Sequence, residues 1–166
     1  RQFNLIYLLL DGEHDVKLGA DQLQLSPHDL VIVPENTLYA SDHIRNCRGY
    51  CIHFKTEFIQ PHLTHPLNEE YPFFLFDAPH IINLDEPETM IIQKAFMNII
   101  EEYNRNSVEK DFLLCNLILI LLLRIREIYR IRVKEIKNKL TRLEQLAHNF
   151  KLLVEKNFLE KRTVNE

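Results

Sequence analysis

Tyrosine and histidine side chains are the groups in this sequence best suited to forming a small polar binding site. Tyr7, Tyr39 and Tyr50, together with His14, lie in or beside strand-like segments, where side chains on one face of a curled sheet converge. Hydroxyl and imidazole groups both donate and accept hydrogen bonds. We therefore predict that these four residues line a pocket in a β-barrel and contact a small molecule there.

Motifs for catalysis and for metal binding are absent or poorly spaced. The three glycines form no phosphate-binding loop, nucleophile elbow or dinucleotide-binding motif. His62 and His65 have the spacing of one helical turn, but a proline flanks each of them. Cys47, Cys51 and His53 share one strand face, where residues two apart are separated by about 7 Å, too far for three ligands to converge on zinc. We predict no enzyme activity, no catalytic residue, no metal and no cofactor.

The composition is that of a folded protein without a membrane span. Of the 166 residues, 46% are hydrophobic and 27% are charged, and the formal net charge is −4. These values exclude a disordered chain and allow one compact domain with its own core. The longest apolar segment, residues 112–123, is shorter than the roughly 20 residues that a membrane helix needs. Three cysteines and no signal peptide favour a cytoplasmic protein, and the start at Arg1 indicates an excerpt of a longer chain.

Charge divides the chain into an acidic front and a basic end. Residues 1–123 carry 8 Lys+Arg and 18 Asp+Glu, a net charge of −10, whereas residues 124–166 carry 12 and 6, a net charge of +6. A basic end is typical of contact with nucleic acid or a membrane surface, although a solvated helix also has this pattern. If DNA is the partner, Arg130, Arg132 and Lys134 are the candidates for phosphate contacts.

The first half of the chain has the pattern of short strands separated by turns. The strand-like segments are residues 3–10, ending at the turn pair Asp11-Gly12, and residues 23–25, 30–33, 49–54 and 71–76. Alternation places Tyr50, Ile52 and Phe54 on one face of their strand and Cys51 and His53 on the other. This half predicts a small antiparallel barrel or sandwich.

From residue 85 the hydrophobic period changes to that of helices. Asp85 and Glu88 have the spacing of a capping box that begins a first helix. A second helix is predicted over about residues 107–132, and a third begins near Thr141. Strands followed by helices indicate an α+β fold.

The second helix is apolar around its circumference between residues 112 and 123, so more than one of its sides must be covered. A heptad-spaced seam runs along it, formed by Leu114, Ile118, Leu121, Ile125 and Ile128. We predict that this seam pairs with its two-fold copy in a homodimer. The alternative is that other helices of the same chain bury the seam.

The order of these segments resembles that of AraC-family transcription regulators. Residues 25–34, Leu-Ser-Pro-His-Asp-Leu-Val-Ile-Val-Pro, resemble the turn and strand of a cupin, and residues 49–54 with Glu57-Phe58 are similar to the strand that closes the family's sensor barrel. Residues 150–158 look like the entrance to the family's DNA-binding domain. The resemblance covers nearly the whole chain.

The resemblance implies three parts. They are a cupin-like double-stranded β-helix that senses a ligand (residues 1–84), a helical dimerisation segment (residues 85–134), and a linker with a first helix (residues 135–166) that leads to a helix-turn-helix domain beyond Glu166. The implied partners are a small-molecule effector, in some branches a sugar, a second copy of the chain, and DNA bound by the domain beyond.

Two positions depart from the cupin pattern. His28 replaces the glycine of the turn, and glycine adopts positive φ more readily. Tyr39 stands about where metal-binding cupins have a histidine, and the sequence contains no His-x-His. These departures favour a sensor over the alternative of a stand-alone cupin enzyme, such as an isomerase or a metal-dependent oxygenase. A third possibility is an interaction module with a filled barrel.

Overall fold

The structure, a computed structural model, describes residues 2–75, 78–139 and 150. The chain divides into two compact units, Arg1–Tyr129 and Arg130–Glu166. The strands are β1 (Asn4–Leu18), β2 (Asp21–Leu25), β3 (Asp29–Val33), β4 (Tyr39–Phe54) and β5 (Ile81–Asn83), and the helices are α1 (Thr56–Ile59), α2 (Leu67–Glu70), α3 (Glu86–Tyr103) and α4 (Lys110–Lys139). The predicted α+β class is confirmed.

β1 is the central strand of one antiparallel sheet that curls into a half-barrel. β4 pairs with β1 along its whole length, from Asn4 opposite Phe54 to Leu18 opposite Tyr39. On the other edge of β1, β3 pairs with the first half and β2 with the second half, and β5 pairs with β3. The single long strand β1 therefore pairs with three of the other four strands, β2, β3 and β4.

A bulge around Gly12 replaces the predicted turn. The register between β1 and β4 shifts between Leu9 and Asp11 and again between Asp11 and Glu13. Gly12 has φ +92°, a conformation that side chains other than glycine rarely adopt. The prediction that the first strand ends at Asp11-Gly12 is therefore wrong, because this glycine bends the strand without ending it.

The two faces of the sheet carry separate hydrophobic clusters. Ile6 and Leu8 belong to a cluster that includes residues of α3 and α4, and we call this side of the sheet the helix face. Leu5 and Leu9 belong to a second cluster, which we assign to the inner face. Its buried members all come from β1, β2 and β3, namely Leu5, Leu9, Val16, Leu18, Leu25, Val31 and Val33. A cluster built from strand residues alone requires the sheet to curl around it.

The start of α3 is confirmed, whereas the last predicted strand is wrong. The Asp85 carboxylate accepts a hydrogen bond from the Glu88 amide at 2.8 Å, and the Glu88 carboxylate accepts one from the Asp85 amide at 2.9 Å. Within the predicted strand 71–76, Pro72–Phe74 form a 3-10 helix instead. Proline cannot donate to a sheet ladder, and Phe73 and Phe74 are buried against the helix face.

α4 buries the predicted dimer seam inside its own chain. Leu114, Ile118, Leu121, Ile125 and Ile128 are at most 8% exposed, in the cluster of the helix face. Other residues of this cluster already cover these five side chains, so the prediction that they face a second copy needs correction. Apolar side chains that α4 exposes instead include Phe112, Leu113, Ile120 and Leu123.

Sheet and helices share this core, and residues 1–129 form one compact unit. Apart from 135–139 and 150, the predicted segment 135–166 lies outside the described residues, as does the helix expected near Thr141. Within the described ranges, no helix combines the length and the apolar character needed to cross a membrane.

Candidate functional site

A cavity of about 370 Å³ opens on the inner face of the sheet, and we call it the inner pocket. Its lining comes from β1 and β4, the two strands that pair along their whole length. Tyr7, His14 and Tyr39, three of the four predicted binding residues, lie together here. The structure therefore brings most of the predicted site into one cavity.

Tyr7 and His14 meet in this pocket although both belong to β1. Their ring centroids are 5.4 Å apart, and their planes are inclined at 77°, an edge-to-face arrangement. Residues seven apart on a regular strand face opposite sides of the sheet. The bulge at Gly12 changes which side chains face inward, so both rings reach the same pocket.

His14 is the most buried polar group of the pocket. It is 6% exposed, and its Nε2 lies 2.6 Å from the Ser41 hydroxyl oxygen. Its Nδ1 is buried and has no hydrogen-bond partner among the described residues. Burial lowers the pKa of His14 against the opposing effect of Asp15, so the ring is neutral at pH 7. A neutral ring with one unused buried nitrogen is suited to binding a hydroxyl or amide group.

Tyr7 supplies a protonated hydroxyl beside this ring. Burial raises the pKa of Tyr7, and the neighbouring Cys47 and Tyr39 raise it further. The Cys47 thiol donates to the Glu13 carbonyl at 3.0 Å, which fixes this side chain across the two strands. The Tyr7 hydroxyl therefore remains a hydrogen-bond donor across the physiological pH range.

The chemistry of the inner pocket is that of binding a polar molecule. Hydroxyl and imidazole groups stand beside the apolar side chains of Leu5 and Ile44. Cys47, Cys51 and His53 line the same pocket. Even so, within the described part of the chain no three His, Cys, Asp or Glu side chains are arranged to hold a metal ion.

Tyr50, the fourth predicted binding residue, lies on the other side of the sheet. Its ring stacks on Phe96 of α3, with centroids 5.7 Å apart and planes 19° apart. Its placement in the inner pocket is therefore wrong. The alternation that separates Tyr50 from Cys51 and His53 was readable in the sequence, and the structure follows it.

The sequence did not indicate two residues at this site, Ile44 of the pocket lining and Ser41, the partner of His14. Ser41 contacts the imidazole of His14, and Ile44 lines the cavity although it is 61% exposed. Both lie where the register of β4 shifts against β1, between His14 and Val16. No local pattern reveals such a shift, because it depends on pairing between distant segments.

The predicted phosphate-binding residues lie in the second unit. Arg130 and Lys134 are exposed, and Arg132 is half-buried. All three belong to the last turns of the described part of α4.

Compared with models of known protein families and with curated proteins, the chain matches none of them.

Proposed function

We propose that this chain senses a small, uncharged polar molecule, as the sensor domain of a cytoplasmic AraC-type regulator does. The observation that supports the proposal is the inner pocket, where Tyr7, His14 and Tyr39 converge and where Nδ1 of His14 is buried without a described partner. A ligand hydroxyl bonded to Nδ1 satisfies this buried polar atom. Monosaccharides are the favoured class, because each hydroxyl both donates and accepts.

The backbone at His28 supports a cupin-like barrel as the finer description of the fold. His28 has φ 75°, in the left-handed region that favours glycine. The resemblance places a glycine of the cupin turn at this position. The local conformation thus fits the cupin turn even though the residue type differs.

β4 offers a physical route from the inner pocket to the helices. Cys51 lines the pocket, and its neighbour Tyr50 stacks on Phe96 of α3. A ligand that prefers one position of β4 therefore favours one position of α3. Such differential affinity for two arrangements is how an effector changes the state of a regulator.

The proposal includes a homodimer through the exposed side of α4. Leu113, Ile120 and Leu123 are between 39% and 49% exposed and are spaced along this helix. The basic residues Arg130, Arg132 and Lys134 are proposed to contact DNA phosphates next to a DNA-binding domain.

A thermal-shift screen of the purified chain against monosaccharides and other uncharged metabolites tests the sensor. We expect at least one compound to raise the melting temperature of the wild type. Tyr7→Phe and His14→Phe should weaken its binding by about tenfold, since each removes one hydrogen-bonding group. Tyr50→Phe, the matched control on the helix face, should not weaken it.

Tyr7→Phe removes a single oxygen and keeps the ring, so it serves if His14→Phe does not fold. The absence of any stabilising uncharged compound would overturn the proposal. Equal affinity of the wild type and Tyr7→Phe for the compound would also overturn it.

A further inference from the structure

A second cavity, of about 520 Å³, lies on the helix face between β4 and the first turns of α3, and we call it the helix-face cleft. Arg48 and Tyr50 of β4 line one part of it, and His28, Glu86 and Met90 are further lining residues. It is separate from the inner pocket, because Tyr50 and Cys51 project to opposite faces of the sheet.

The β4 wall of the cleft presents hydrogen-bond donors. Within the part of the chain that the structure describes, the Arg48 side chain forms no ion pair and no hydrogen bond, so its five N–H groups are unused. Two residues along the same strand, the Tyr50 hydroxyl accepts a long hydrogen bond from Gln93 Nε2 at 3.5 Å. Its own hydrogen remains available to donate. The Arg48 guanidinium and the Tyr50 hydroxyl are both suited to binding a carboxylate.

Elsewhere the lining of the cleft presents acceptors. The Thr89 hydroxyl donates its only hydrogen to the Asp85 carbonyl at 2.8 Å, so it accepts from Nδ1 of His28, 3.0 Å away. Nδ1 of His28 therefore carries a proton, and Nε2 is the ring nitrogen that can accept a hydrogen bond. The Glu86 carboxylate forms no ion pair or hydrogen bond with other described residues. The Glu86 carboxylate and Nε2 of His28 are both suited to binding an ammonium group.

Arg48 and Glu86 line one cleft without forming an ion pair to each other. An unpaired cation and an unpaired anion facing a common space complement a molecule that carries both charges. An uncharged sugar would leave both groups unpaired, and a dicarboxylate would be repelled by Glu86. Leu10 and Met90 add apolar surface to the same space.

We infer that the helix-face cleft binds a free α-amino acid with an apolar side chain. Arg48 and the Tyr50 hydroxyl hold the carboxylate, Glu86 and Nε2 of His28 hold the ammonium, and the apolar side chain packs near Leu10 and Met90. This site is distinct from the proposed sensor pocket, so either one can fail while the other stands.

Isothermal titration with L-leucine, L-methionine and L-phenylalanine tests the inference. We expect at least one of the three to bind. Its N-acetyl derivative lacks the ammonium and its amide lacks the carboxylate, so each should bind about tenfold more weakly or worse. Failure of all three amino acids to bind at millimolar concentration overturns the inference, as does equal binding of the N-acetyl derivative.

Variants locate the site. Arg48→Gln and Glu86→Gln should each weaken amino-acid binding about tenfold or more, and both residues are exposed, so the variants should fold. The matched controls are Arg45→Gln, on the same strand outside the cleft, and Glu57→Gln, on α1. Both controls should bind the amino acid as the wild type does. Binding unchanged in both Arg48→Gln and Glu86→Gln would place the amino acid elsewhere and overturn the inference. Tyr7→Phe should leave amino-acid binding intact, which separates this site from the inner pocket.

Discussion

Gly12 and Arg45 lie so close together that a Cβ on Gly12 would stand 2.5 Å from the Arg45 carbonyl oxygen. The contact occurs where β1 and β4 shift register. A regular strand would hold Tyr7 and His14 about 23 Å apart and on opposite faces. Their ring centroids are instead 5.4 Å apart. The inner pocket therefore depends on this bulge.

Gly12→Ala should destabilise the protein more than Gly19→Ala. Both glycines have positive φ, +92° and +60°, which costs about 1–2 kcal/mol for other residues. Only Gly12 also has backbone atoms in the space of a Cβ, whereas nothing lies within 4 Å of a Cβ on Gly19. We expect Gly12→Ala to lower the free energy of unfolding by about 3 kcal/mol or more in urea denaturation. Equal losses in the two variants would contradict the role of the bulge.

Local sequence patterns predicted the features that depend on near neighbours. The reciprocal hydrogen bonds of Asp85 and Glu88 are within one helical turn, and the alternation of Tyr50 and Cys51 is a property of any strand. Both are present in the structure.

Features that depend on distant segments were not predictable in this way. The turn pair Asp11-Gly12 lies within a strand because β4 pairs on both sides of it. A heptad seam such as that of Leu121 looks the same whether a second copy or the same chain covers it. The predicted face of Tyr50 is wrong because its alternation with Cys51 does not say which face of the strand curls inward.

Because of His14, the free energy of unfolding should decrease as the pH is lowered. Burial lowers the pKa of the folded His14 below the value near 6.5 of the unfolded chain. Between these two pKa values the unfolded chain binds a proton that the folded one does not, so the free energy of unfolding decreases as pH falls through this window. Urea denaturation at about pH 7.5 and about pH 5.5 measures the loss. His14→Gln, which retains the other histidines, should lose less, and an identical loss in both proteins would contradict this assignment.

Self-association should depend on the exposed side of α4. Ile120→Lys and Leu123→Lys place charges on side chains that are 49% and 41% exposed, so both variants should fold but sediment as monomers. Ile91→Lys, at a 48% exposed position of α3, is the matched control and should remain dimeric. Analytical ultracentrifugation distinguishes the monomer from the dimer. A wild-type chain that stays monomeric at high concentration would refute the dimer.

DNA affinity should depend on the basic end of α4. In a protein that joins this chain to the DNA-binding domain required by the proposal, Arg130→Glu and Lys134→Glu should weaken binding to all DNA sequences alike. Each lost phosphate contact should reduce the slope of log affinity against log salt by about 1. Lys94→Glu, an exposed position of α3, serves as the control. An unchanged slope would remove these residues from the DNA contact.

The alkylation rate of Cys47 tests the inner pocket most directly. Cys47 is half-buried in the pocket lining, whereas Cys115 is buried against the helix face and serves as an internal reference. Iodoacetamide labelling, quantified by mass spectrometry of the two cysteine peptides, is followed at increasing concentration of the compound found in the thermal-shift screen. The sensor proposal predicts that the compound slows the labelling of Cys47, with half-maximal protection at its Kd, and leaves Cys115 unchanged. Labelling of Cys47 at the same rate with and without saturating compound would contradict it.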